Sequence, residues 1–193
     1  MNNPKLDYNY QDERRQEMLD GKLYAMASPS PNHSAIAYNL QKIFQTFLKG
    51  KQCTVHREVD VFFPSNNRFI PDLSVVCDKN KLKSNGIIGS PDLVIEILSP
   101  STAGRDKGYK KRVYEQNGVK EYWLVDVVGR GVDVYLLENG KLEFNCHYTI
   151  IPDYTIEVMT DEEKSLIIYE FKTSLFNDLI ITIKDIFEDM LDL

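Results

Sequence analysis

The 193-residue sequence predicts a mixed α/β domain, a sheet of parallel and antiparallel strands flanked by helices, and three observations carry that prediction. Helically spaced apolar residues, Ile36, Leu40, Ile43, Phe44, Phe47 and Leu48, mark an amphipathic helix near the start. The run Leu93-Val94-Ile95-Glu96-Ile97-Leu98, aliphatic except for its glutamate, reads as a strand buried on both faces. A helical segment from about Arg105 to Gln116 follows it and returns to a strand, Glu121 to Val127.

The elements follow in order. Asp20-Gly21 between Arg15–Leu19 and Lys22–Met26 predicts a tight hairpin, because Asp-Gly accepts the positive φ angles of the turn. Ser28-Pro29-Ser30-Pro31 suits the start of the first helix, which ends at Gly50. Cys53 to Phe63, rich in Val and Phe, predicts a strand, and after the turn Pro64 to Asn67 a second runs from Ile70 to Cys77. A polar loop with Asn80, Asn85, Gly86 and Gly89 leads to the aliphatic strand. Ser99-Pro100-Ser101-Thr102 opens the next helix, and Asn117-Gly118 stands in its C-cap position. Beyond the turn at Gly129 to Gly131, strands are expected at Val132–Leu137, Phe144–Ile150, Tyr154–Met159 and Leu166–Phe171, largely antiparallel. Ile183, Ile186, Phe187, Met190 and Leu191 form a helical stripe suited to closing the core. There is no internal repeat or long linker, and the length suits one domain over residues 1–193.

Composition excludes several classes. No apolar stretch is long enough to cross a bilayer, and the N-terminus lacks the apolar core of a secretory signal, so a cytoplasmic protein is expected. Cys53, Cys77 and Cys146 are odd in number and far apart, which predicts reduced thiols. With His33, His56 and His147 equally scattered, a zinc centre is not expected. A net charge of −6 argues against a nonspecific coat on nucleic acid. Two basic clusters stand out locally: Lys79, Lys81 and Lys83, read as a solvated loop, and Arg105, Lys107, Lys110, Lys111 and Arg112 on the second helix.

Glu96 is the most informative residue. An ionised carboxylate in a buried strand costs several kcal/mol without a partner, so a metal ion, a lysine or an open cleft must compensate it. Strand alternation sets Glu96 beside Val94 and Leu98 near the strand's C-terminal end, where sites open in α/β sheets. Asp72, after Pro71 at the start of another strand, can lie beside it, and two carboxylates on neighbouring strands suit a hard cation such as Mg²⁺. Asp92 lies roughly 13 Å along Glu96's own strand, too far to share an ion. A cation is also needed; Lys110 shares a helical face with Lys107 and Tyr114, and the crossover can bring it to the carboxylates.

The ordered strings Phe69-Ile70-Pro71-Asp72-Leu73-Ser74, Pro91 to Thr102, Arg105-Asp106-Lys107-Gly108-Tyr109-Lys110, Tyr114, and Gly118 to Asp126, with Asp20-Gly21 and Asn32-His33 upstream, resemble the Uma-two family, whose members are assigned as endonucleases. The resemblance covers most of the chain and weakens beyond about Ile150. It implies a restriction-endonuclease-like fold of the PD-(D/E)XK superfamily, carrying additional antiparallel strands, with a Mg²⁺-dependent phosphodiesterase centre. Asp72 matches the acid of the Pro-Asp half-motif and Glu96 the second acid. Leu98 occupies the usual lysine position, two residues after Glu96, and the family pattern suggests Lys110 as the substitute. Glu58 could add a carboxylate; His33 matches a family position without an assigned role.

The leading expectation is therefore an endonuclease cutting DNA, with Asp72, Glu96 and the Ile97 carbonyl on Mg²⁺, or Mn²⁺ in its place, Lys110 as the cationic group, and a homodimer by analogy. A nuclease fold with weak or lost chemistry, binding nucleic acid or protein, is the alternative, motivated by Leu98 and the acidic charge. A glycosidase pair would need a cleft lined by aromatics such as Tyr122 and Trp123, which the sequence places in a core strand instead.

Overall fold

The computed structural model describes residues 15–64 and 66–191. Strands β1 (Gln16–Leu19) and β2 (Lys22–Ala25) form the expected hairpin, with Asp20 at φ 50° and Gly21 at φ 74° in the turn. Helix α1 (Pro31–Leu48) begins where the serine-proline string indicates: Ser30 accepts a hydrogen bond from the His33 N–H, and Pro31 sits where no intrahelical donor is needed. Its apolar stripe, Ile36, Leu40, Phe44 and Leu48, is buried.

The stretch from Cys53 to Phe63 is two strands, not one. Glu58, at φ 52°, breaks it into β3 (Thr54–Arg57) and β4 (Val61–Phe63), which belong to different sheets. The second expected strand, Ile70 to Cys77, begins only at β6 (Leu73–Val76), and a strand the sequence reading did not include, β5 (Asn67–Phe69), precedes it across Ile70-Pro71-Asp72 in the other sheet. The polar loop contains a 3-10 turn (Lys79–Lys81) and a small hairpin, β7 (Leu82–Lys83) and β8 (Gly86–Ile88). Strand β9 (Leu93–Leu98) leads to a helical crossover built from α2 (Ala103–Arg105), a widened π turn (Asp106–Lys110) and α3 (Lys111–Gln116). Gly118, at φ 79°, closes it before β10 (Glu121–Asp126), and β11 (Gly131–Glu138) and β12 (Lys141–Thr149) continue antiparallel.

The region after β12 corrects the sequence reading. Tyr154–Met159 is not a strand: α4 (Asp153–Val158) occupies it, followed by α5 (Asp161–Ser165) with a Thr160–Glu163 capping box. Tyr154 and Val158 are exposed, so no core face selects an extended conformation. Of Leu166–Phe171, only the end enters β13 (Glu170–Lys172), paired with β14 (Ile180–Thr182). The final stripe contributes α6 (Ile183–Ile186), shorter than expected, with Ile183, Ile186 and Phe187 buried.

A central sheet in the order β12-β11-β10-β9-β6-β3 joins β9 and β10 in parallel and its other neighbours antiparallel. Its one face packs Leu73, Ile95, Ile97 and Trp123 against α1 and α6; its other packs Val94, Leu98, Tyr122 and Leu124 with Val113 and Tyr114 of α3 and with Val61, Phe69 and Ile87. The latter three come from a second sheet, β2-β1-β5-β4-β8-β7. Burial on both faces is why β9 is aliphatic at every position except Glu96. The expected thiols at Cys53 and Cys77 are instead joined as a disulfide, because pairing of Thr54 with Val76 brings the next residues of both strands opposite each other; Cys146 alone is free.

Candidate active site

The β6–β9 ladder pairs Leu73 with Ile95. One step further along the same register, Asp72 faces Glu96, and side chains so opposed have Cβ atoms about 5 Å apart. The backbone fixes Asp72 further: its Oδ2 accepts from the Ile97 N–H at 2.6 Å, while its Oδ1 lies 3.2 Å from His33 Nε2 on the first turn of α1. Burial works against a charged His33, but Asp72 and Glu58, with the Ile97 backbone, outweigh it and raise its pKa above the ordinary histidine value.

Lys110 Nζ stands 2.6 Å from Glu96 Oε1, 2.9 Å from Glu17 Oε1 and 3.4 Å from Asp106 Oδ1. The Tyr114 hydroxyl donates to the same Glu96 oxygen at 2.6 Å. The crossover helix turns Asp106, Lys110 and Tyr114 inward at four-residue intervals, while Lys107, expected on their face, is exposed. Glu17 reaches the cluster from β1 and also accepts from the Ile70 N–H, two residues before Asp72. Lys110 thus ties the second sheet, the crossover helix and the central sheet together.

Charge in the cluster is unbalanced: Glu17, Asp72, Glu96 and Asp106 surround Lys110 and His33, all of them largely buried. Burial favours the neutral form of Glu96; Lys110 opposes this, but Asp106, Asp72 and Glu17 add to it, and the pKa rises well above the ordinary glutamate value. Burial likewise raises Asp106. For Lys110, burial favours loss of the proton, but Glu96, Glu17 and Asp106 outweigh it and hold the ammonium charged. The cluster as a unit therefore carries a surplus of carboxylate that a further cation or a proton must offset.

The donor set suits a hard divalent cation. Asp72 and Glu96 provide carboxylate oxygens, the Ile97 backbone lies beside them, and the surplus negative charge favours a positive ion. Among the described residues no three His, Cys, Asp or Glu side chains converge for metal binding, so the protein would supply few ligands and water the rest, as Mg²⁺ permits.

Of the residues singled out from sequence, the structure brings Asp72, Glu96, Ile97 and Lys110 together, with His33 in contact. Glu58 stands at the edge, paired with Arg15. Glu17 and Asp106 escaped sequence reading. Their signals were a carboxylate on the inward side of the hairpin, alternating with buried Leu19, and an acid four residues before Lys110. A cleft of about 620 Å³ lies elsewhere, lined by residues such as Ile150, Pro152, Tyr169 and Phe187, and none of the cluster residues line it.

Residues 5–162 match the Uma2 family, described as "Putative restriction endonuclease". The chain belongs to the Uma2 family. Two relatives from Synechocystis sp. are similar to it: the uncharacterized protein slr1290, 35% identical over 133 residues, covering 67% of this chain and 70% of that protein, and the uncharacterized protein sll1609, 27% identical over 149 residues, covering 68% and 84%. A crystal structure titled as a putative nuclease belonging to DUF820, from Anabaena variabilis, superposes with a TM-score of 0.63, covering 91% of this chain and 90% of that one at 22% identity. This Uma2 chain therefore shares its fold with that protein, a mixed sheet flanked by helices with further antiparallel strands.

Proposed function

We propose that this Uma2 chain is a Mg²⁺-dependent endonuclease that hydrolyses DNA phosphodiester bonds. The observation that carries the reading is the placement of Lys110 2.6 Å from Glu96, from a different element, when Leu98 fills the usual lysine position. Asp72, Glu96 and the Ile97 carbonyl would hold Mg²⁺, with Mn²⁺ as substitute. Bound there, the ion would supply an acidified water and charge neutralisation at the phosphate.

The chain's own groups prepare the rest. The Ile97 N–H and His33 fix the Asp72 carboxylate. Glu17 and Asp106 hold the Lys110 ammonium charged and in place, where it can stabilise negative charge gathering on a scissile phosphate. Tyr114 orients Glu96. A sugar-cleaving role has less support, because Tyr122 and Trp123 are 0% exposed and cannot line a saccharide cleft. By analogy the chain would act as a homodimer, and light scattering tests that state. The activity test compares wild type and Asp72→Ala on plasmid and single-stranded DNA with Mg²⁺ or Mn²⁺. Wild type should cut and the variant should not; equal cutting by the two sinks the assignment.

A further inference from the structure

We propose that Tyr24 and Arg105 form a nucleobase-stacking subsite at the rim of the candidate site and select single-stranded nucleic acid as its substrate. The inference rests on the nuclease reading and adds the substrate class.

Tyr24 lies directly opposite Glu17 in the β1–β2 ladder, so both side chains leave the same face of the hairpin. Glu17 bonds Lys110, which bonds Glu96; the tyrosine therefore stands beside the carboxylate cluster, one strand further out. Strand β2 is the edge of its sheet, and Tyr24 is 39% exposed although nothing in the hairpin requires an aromatic ring there. Over that ring sits the Arg105 guanidinium, 5.3 Å from the centroid. Arg105 is adjacent in sequence to Asp106, which points inward to Lys110, so the guanidinium marks the outer margin of the same cluster.

The charge of this rim points to a polyanion. Arg105, Lys107 and Arg112 make no ion pair with a carboxylate among the described residues, in a chain whose net charge is −6. Cations that rest on aromatic rings, Arg105 on Tyr24 and Arg112 on Tyr109, and have no carboxylate partner among the described residues match a strand whose phosphates meet the cations and whose base meets the exposed part of the Tyr24 ring. The faces of paired bases are hidden in the duplex stack, so a surface of this type reads an unpaired base unless the duplex is opened at an energetic cost.

The test is fluorescence anisotropy of short labelled oligonucleotides with EDTA present, so that binding is read without cutting. The probes are oligothymidylate, oligouridylate, a strand of the same length made of abasic residues, and a hairpin duplex. Wild type should prefer oligothymidylate or oligouridylate to the abasic strand and the duplex, and the ratio between the first two assigns DNA or RNA. Tyr24→Ala should weaken binding to the preferred strand about tenfold while leaving the abasic strand unaffected, and Tyr24→Phe should retain wild-type affinity. The proposal is overturned by an unchanged affinity in Tyr24→Ala, by equal losses on base-bearing and abasic strands, by a preference for duplex, or by no binding at all. Plasmid cutting by wild type alongside any of those results removes the subsite but keeps the nuclease; base-dependent binding without cutting does the reverse.

Discussion

Replacing Lys110 by methionine probes the centre of the cluster. The side chain is 4% exposed and faces Glu17, Glu96 and Asp106, so methionine fills much of its volume but leaves three buried carboxylates without their cation. Removing one partner of a buried ion pair costs about 3–5 kcal/mol. For a chain of this size that corresponds to a fall in Tm of roughly 6–20 °C. The pH dependence has a definite sign. Burial and the neighbouring carboxylates raise Glu96 and Asp106 above their ordinary values, so the stability they contribute is present below those values and is lost as pH rises through the folded ones. Without Lys110 the folded values climb further, and the deficit relative to wild type should be smaller near about pH 5 than near about pH 8. Urea unfolding at both pH values, followed by the fluorescence of the single, fully buried Trp123, measures it. A loss under about 1 kcal/mol at both, or one that shrinks as pH rises, refutes the charge argument. Adding Glu96→Gln to Lys110→Met should recover part of the loss, because it removes one of the stranded charges.

Two further outcomes follow from groups outside the cluster. Asp92 accepts from the Cys77 N–H and from Lys120, both at 2.8 Å, and these outweigh burial to hold its pKa below the ordinary aspartate value. Because Lys120 is 62% exposed, solvent screens its share, and Asp92→Asn should cost about 1–2 kcal/mol at neutral pH. A depressed folded pKa contributes above the ordinary aspartate value, so denaturant midpoints of the two proteins should converge as pH falls through the folded value. Cys53→Ser opens a loop whose ends are 24 residues apart and should lose about 3 kcal/mol in an oxidising buffer. Dithiothreitol should lower wild type toward the variant and leave the variant unmoved in thermal melts; in a reducing cytoplasm the same contribution would be absent.

What could be read from sequence was whatever local chemistry enforces. The Asp20-Gly21 turn, the Ser30 cap, the aliphatic β9 and the crossover to β10 each follow from φ preferences, capping or periodicity within a few residues, and each stands in the structure. Glu96 could be singled out because a charge in such a strand demands an explanation. The helix at Asp153–Val158 could not be read, since of its apolar residues Tyr154 and Val158 face solvent and only Ile156 is half-buried, so no apolar stripe marks a face. The Cys53–Cys77 bond was equally hidden, because 24 residues of sequence say nothing about strand register. For the candidate site, sequence supplied Asp72, Glu96 and Lys110, with neighbouring strands and the crossover helix as a route by which they could meet. Only tertiary structure decided that Lys110 meets Glu96, that His33 meets Asp72, and that Glu17 and Asp106 complete the cage. The physical reason is that a buried charge declares its need for a partner locally, but its partner is chosen by packing between elements distant in the chain.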